Sequence, residues 1–187
     1  MLYDSNGKKT NLNKNNLITV SRLDDGKKVN EIIDIFNKIK DENTRLYVIG
    51  DGLEYNNLKE QIASMHLTEQ VSLLGYKTKS EIEKYMLESS LFMMASVSEG
   101  LPMVLLEAMS YGVPCIAYRT VSGVADIIKD GYNGFIIENR DQNKYIERVL
   151  EVLGNDQLRF KLSENAKSTA ELFSKEEILK KWYRILK

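Results

Sequence analysis

The chain of 187 residues has a single cysteine, Cys115, and a single histidine, His66. One cysteine cannot form an internal disulfide, which fits a reducing compartment. Cys115 lies in the apolar stretch "PCIAY" and reads as packing rather than as a reactive thiol. A lone histidine without a cysteine cluster supplies no zinc-type ligand set, so His66, after "QIASM", reads as a surface or helix-end residue. No Asp-x-Asp pair occurs either, the "DD" at 24 and 25 having the wrong spacing for a shared metal. An excess of charge is also missing. With 26 basic and 27 acidic side chains the formal net charge is −1, which argues against nucleic acid as the main partner and leaves room for a small anion. No apolar run approaches the roughly 18 residues that cross a bilayer. The first residues, "MLYDSNGKKTNLNKNN", lack the apolar core of a secretory signal, so a cytoplasmic protein is expected.

What is present is a globular composition, 43% hydrophobic and 28% charged. Short apolar runs rich in β-branched residues recur at 17–21, 45–50, 70–75, 91–96, 114–118 and 134–137, and helical patterns fill the intervals. Val29, Ile32, Ile33, Ile35, Phe36 and Ile39 mark the first of these helices; others are expected near 54–65, 79–88, 102–111 and 123–130. Such alternation predicts an α/β domain with a six-stranded parallel sheet covered by helices on both faces. After residue 140 only amphipathic helices follow. One carries Tyr145, Ile146, Val149, Leu150 and Leu153, and the last carries Ile178, Leu179, Trp182, Tyr183 and Leu186, whose aromatic pair reads as packing. The organisation expected is a tether over 1–16, the sheet domain over 17–140 and a helical extension of the same domain over 141–187.

In such a sheet, ligands bind outside the carboxyl ends of the strands. The loops there are "SRLDDGKK" with Arg22, Lys27 and Lys28, "GDG" at 50–52, "GYKTKS" at 75–80 with Tyr76 and Lys77, and "SEGLP" at 98–102. The stretch "SEGLPMVLLEAM" is apolar yet carries Glu99 and Glu107, with no basic residue inside it to pair either acid. Pro102 suits a helix start, so Glu99 belongs to the preceding loop and Glu107 to the second helical turn. Free amides at that helix start, with Arg22 and Lys27 from the neighbouring loop, could hold a phosphate or diphosphate, and the acids could accept from sugar hydroxyls. On spacing alone, a buried helix with a charged loop acid and a capped Glu107 is an equal reading.

"EGLPMVLLEAMSYGVPCIAY", with "VSRLDDGKK", "VIGDGLEYNNLKEQI" and "VSLLGYKTKSEIEKY" in the same order, closely resembles the signature regions of glycosyltransferase family 4, retaining enzymes of the GT-B fold. The resemblance implies a single Rossmann-like domain, the C-terminal half of a GT-B architecture. It implies that the chain binds a nucleotide-diphosphate sugar, with a UDP-sugar as the expected donor and no metal or other cofactor. Arg22 and either Lys27 or Lys28 match the residues that grip the diphosphate. Glu99 matches the acid set against the donor sugar, and Glu107 the acid that binds the ribose. Gly100, Leu101, Pro102, Met103 and Val104 match the segment whose amides face sugar and phosphate, while Tyr76 and Lys77 border the base. "SGVAD" stands where relatives often have "GGxxE", with Asp126 in place of the acid. The implied activity is transfer of a sugar to a glycan or other acceptor, in cell-surface polysaccharide synthesis. The implied partner is an N-terminal acceptor-binding domain or separate subunit, through which any peripheral membrane contact would run. A non-catalytic nucleotide-sugar-binding module is the alternative, and an epimerase of related fold a more distant one.

Overall fold

The computed structural model describes residues 10–39 and 41–185. Six strands, β1 (Asn16–Val20), β2 (Arg45–Ile49), β3 (Val71–Leu73), β4 (Leu91–Met94), β5 (Cys115–Tyr118) and β6 (Gly134–Ile137), pair in parallel in the order β3-β2-β1-β4-β5-β6. Each lies on one of the six apolar runs. The helices are α1 (Val29–Ile39), α2 (Tyr55–Ser64), α3 (Lys79–Leu87), α4 (Met103–Ser110), the single turn α5 (Val124–Ile127), α6 (Gln142–Gly154), α7 (Asp156–Glu171) and α8 (Lys175–Ile185).

The sheet is buried on both faces, which is why its strands read as continuous apolar runs instead of alternating ones. Side chains of successive residues go to opposite sides: Leu91 and Met93 pack into one core, Phe92 and Met94 into the other. The first core is closed by α1, α2 and α6, the second by α3, α4 and α5, and α7 contributes to both, with Leu162 in the first and Ala166 in the second. All six apolar residues noted in α1 are buried, at spacings that keep one stripe of the helix on the sheet. Truncating one of them, Ile33→Ala for example, removes a fully buried side chain and should cost about 2–5 kcal/mol.

The helices after β6 do more than extend the domain. Tyr145 and Val149 of α6 and Leu162 of α7 are fully buried, so both helices are layers of the core. In α8 the aromatic pair departs from the packing expectation: Trp182 and Tyr183 are exposed, with Leu179 and Ile185 beside them. Nothing in the described chain covers that face.

The expected tether also needs revision. Residues 1–9, like Leu186, lie outside the described residues. From Thr10 the chain is docked: Asn11 N–H donates to Leu87 O (2.8 Å), Lys14 pairs with Glu88 (3.3 Å), and Asn16 Nδ2 donates to Glu88 O (2.8 Å). Asn16 itself opens β1. A polar sequence concealed this because the docking is made by polar groups and backbone rather than by an apolar stripe.

Cys115 is buried in β5 and burial pushes its thiol far up, which agrees with an inert packing residue. His66 is exposed and left-handed (φ 57°), closing α2 through His66 N–H to Ala63 O (3.1 Å) and Leu67 N–H to Ile62 O (3.0 Å). That pair of bonds satisfies the last carbonyls of the helix.

Candidate functional site

Strand order reverses between β1 and β4, since β2 and β3 lie to one side and β5 and β6 to the other. The loops leaving β1 and β4 therefore part, and a cleft opens at the carboxyl edge of the sheet. It has a volume of about 350 Å3, and Ser21, Arg22, Lys27, Ser96, Glu99 and the segment from Leu101 to Val104 line it.

Lys27 and Glu99 meet across this cleft, Nζ to Oε1 at 2.7 Å, with side chains 22% and 14% exposed. The loop acid of the apolar stretch thus has a partner, drawn from 72 residues earlier in the chain. Backbone joins the same loops, Val97 N–H donating to Gly26 O (2.9 Å). Lys27 ends a 3-10 turn over Asp25–Lys27, and Lys28 follows in the left-handed region (φ 49°). This reversal separates the two lysines: Lys28 turns to Asp25 (2.5 Å) and does not line the cleft.

Arg22 is 82% exposed, pairs with Asp24 (2.9 Å), and stands on a ridge between two hollows. The second hollow, about 250 Å3, shares Val20, Ser21 and Arg22 with the first; Ile49, Gly50, Tyr76 and Lys77 form much of its other wall. Tyr76 projects with 77% exposure. Ser21, which the sequence reading passed over, has a buried hydroxyl with no hydrogen-bond partner among the described residues.

Two glycine loops hold these pieces from behind. At "GDG", a Cβ on Gly50 would lie 1.8 Å from Ser21 O, and one on Gly52 2.3 Å from Leu23 O. Leu23 N–H donates to Asp51 O (2.8 Å) and Glu54 N–H to Leu23 O (2.9 Å), so this loop clamps the backbone that carries Arg22. In "SGVAD", Gly123 (φ 84°) presses on Gly100 O, where a Cβ would come within 2.2 Å, and Ser122 Oγ donates to Glu99 O (3.1 Å). Asp126 turns inward on its own loop and accepts from Gly123 N–H (3.3 Å). Gly100 itself needs no glycine backbone; a Cβ there would meet open space.

Pro102 caps α4 without a side-chain acceptor, so the first helical residues, Met103 and Val104, present the helix start to the cleft. Glu107 is on α4 one turn beyond Met103, half-buried, and lines neither hollow. Burial raises its carboxyl above the ordinary range, and the charge of Lys79 offsets part of that. Of the residues singled out in the sequence, Arg22, Lys27, Glu99, Leu101, Pro102, Met103 and Val104 share the main cleft, and Tyr76 and Lys77 share the second hollow with Arg22. Lys28, Gly100 and Glu107 stand outside both.

Among the described residues no group of three or more His, Cys, Asp or Glu is placed to hold a metal, and no helix is long and apolar enough to cross a membrane. Chemically, the cleft offers one exposed guanidinium, one ammonium, a helix start and a carboxylate, a set suited to a ligand with both anionic and hydroxyl groups.

A parallel Rossmann-like sheet with its cleft at the switch point is the architecture of one half of GT-B glycosyltransferases. The chain belongs to the family described as glycosyl transferases group 1, which matches residues 4–169. It is 32% identical over 173 residues to the amylovoran biosynthesis glycosyltransferase AmsD of Erwinia amylovora, a match that covers 92% of this chain and 48% of AmsD. Among solved structures it is similar to TarM of S. aureus, crystallised with UDP among its ligands (TM-score 0.87, 25% identity), covering 98% of this chain and 37% of TarM. It is also similar to the pneumococcal O-GlcNAc transferase GtfA in complex with UDP and GlcNAc (TM-score 0.84, 26% identity), with the same coverage of 98% and 37%. The chain spans about half the length of AmsD or less than half of these structures.

Proposed function

We propose that this chain is the donor-binding, C-terminal domain of a retaining family 4 glycosyltransferase that takes its sugar from a UDP-sugar and serves polysaccharide synthesis. The observation that carries the reading is the Lys27–Glu99 pair, held at the switch-point cleft beside the start of α4. A cation and an acid side by side suit a ligand in which a diphosphate adjoins a hydroxyl-bearing sugar. UDP in the TarM and GtfA structures supports the choice of nucleotide.

In this reading the bond between the anomeric carbon and the diphosphate oxygen breaks as the acceptor hydroxyl oxygen bonds to that carbon on the same face and its proton passes to the departing diphosphate oxygen, so configuration is kept. Charge grows on the leaving diphosphate. Arg22, Lys27 and the Met103 and Val104 amides would stabilise it there, where fixed donors in a partly desolvated cleft act more strongly than in water. Glu99 would accept from sugar hydroxyls, Glu107 from the ribose, and Tyr76 and Lys77 would border the base over the second hollow. Exposed Leu53, Val97, Leu101 and Val121 lie on the loops that follow β2, β4 and β5 at the carboxyl edge, apolar surface suited to a second domain that brings the acceptor.

Isothermal titration of the chain with UDP, GDP and UDP-sugars tests the proposal. Saturable UDP binding that falls with Lys27→Met supports it, and absence of binding to every nucleotide rejects it. Because the chain spans 48% of AmsD, a binding module without turnover is the competing reading. Supplying an N-terminal domain and assaying transfer separates the two.

A further inference from the structure

We infer that Arg140 is a positioning residue for the loop after β4, fixing the backbone that presents Glu99 to the cleft. Arg140 lies outside the cleft, at the end of a 3-10 turn over Glu138–Arg140 that follows β6. Its guanidinium donates from Nη2 to Ala95 O (2.9 Å) and from Nη1 to Ser96 O (3.4 Å). The same group pairs with Glu31 of α1 (2.7 Å) and lies over the Tyr118 ring at 4.4 Å.

Those two carbonyls are the first past the end of β4, where the sheet no longer supplies donors, and both of their residues line the cleft. One residue earlier, the fully buried Tyr145 hydroxyl accepts from Met94 N–H (3.0 Å) and donates to Ile116 O (2.7 Å). The Tyr145 and Tyr118 rings meet edge-on at 5.0 Å, which joins the two supports. The backbone from Met94 to Ser96 is therefore held by side chains that arrive from beyond β6.

Backbone conformation points the same way. Asn139 (φ 53°) and Arg140 (φ 51°) are consecutive non-glycine residues in the left-handed region. L residues adopt that region at a cost, and a glycine would be the unstrained choice. A forked, planar donor is needed to reach two carbonyls and a carboxylate at once, which a lysine cannot do.

Hydrogen exchange on the ligand-free chain tests this without relying on the proposed donor. Arg140→Gly keeps the left-handed backbone and deletes the side chain, removing the fork together with its Glu31 pair and its stacking on Tyr118. Amides from 95 to 99 should then exchange about tenfold faster, while those of β5 and α7 keep their protection. Millimolar guanidinium should restore the slow exchange. Unchanged exchange at 95–99 overturns the inference. If Arg140→Gly unfolds the chain, Arg140→Lys decides in its place, and protection equal to wild type there is equally fatal. Glu31→Gln, whose amide oxygen still accepts, should leave the loop near wild type; loosening as great as in Arg140→Gly would assign the role to the ion pair instead. A second measurement rests on the donor-site reading: Arg140→Gly should lower the preference for a UDP-sugar over UDP, a ratio that general destabilisation would not move. Failure of wild-type chain to bind UDP would reject that reading and leave the exchange result standing.

Discussion

Lys27 Nζ lies 2.7 Å from Glu99 Oε1, and both side chains are largely withdrawn from water. A ligand diphosphate and Glu99 would compete for the same ammonium. Glu99→Gln should therefore leave UDP binding unchanged or a few-fold tighter, while the preference for a UDP-sugar over UDP is lost. Titration of both ligands against both chains checks this, and weaker UDP binding in the variant contradicts it.

The same pair predicts a stability cycle. Lys27→Met strands a mostly buried carboxylate and should cost about 1–3 kcal/mol. Adding Glu99→Gln should recover part of that loss, because the two changes act on one interaction and do not sum. Denaturant unfolding of the two single variants and the double variant measures the coupling. Additive losses would show that each side chain is held by something other than its partner.

Arg22 differs in being 82% exposed. Arg22→Ala should leave the unfolding midpoint within experimental scatter and weaken UDP by about 1.5–3 kcal/mol, the usual scale for a bond to a charged group. An unchanged affinity removes Arg22 from the site.

Glu107 carries a pH signature. Its carboxyl is raised in the folded chain, so folding takes up a proton and the burial penalty is absent below the ordinary 4.5 and grows as pH rises through the folded value. Glu107→Gln should accordingly stabilise the ligand-free chain at neutral pH and lose that advantage in acid. Thermal unfolding across pH reads the difference. An acid that is essential for folding would show the opposite, a variant less stable at neutral pH.

Two glycines separate fold from ligand. Gly52→Ala forces a Cβ towards Leu23 O at 2.3 Å and should lower stability by about 1–3 kcal/mol. Gly100→Ala places a Cβ in open space and should fold as wild type while weakening UDP-sugar binding. Melting curves with and without ligand distinguish the two, and a destabilised Gly100→Ala would show that the loop, not the ligand, needs that glycine.

Local pattern was enough for the sheet and its helices. Buried parallel strands need apolar residues on both sides and the covering helices need one apolar stripe, so burial writes itself directly into the order of residues, as in "LFMMAS" and in the Val29–Ile39 stripe. The loops at the carboxyl edge follow from the same alternation, and with them Arg22, Lys27 and Glu99 as neighbours at one edge.

Tertiary structure decided what depends on direction and on distant partners. Lys27 and Lys28 are adjacent and alike in sequence; a left-handed turn at Lys28 sends one to Glu99 and the other to Asp25. Glu107 shares a helix with Met103 and Val104 yet lines neither hollow. Polar contacts dock the segment 10–16 onto Leu87 and Glu88, and Arg140 reaches carbonyls 44 and 45 residues back in the chain, neither of which has any periodic trace. Apolar burial repeats with the geometry of each element, whereas a polar contact is a single event between residues of any separation, and only the folded chain reveals it.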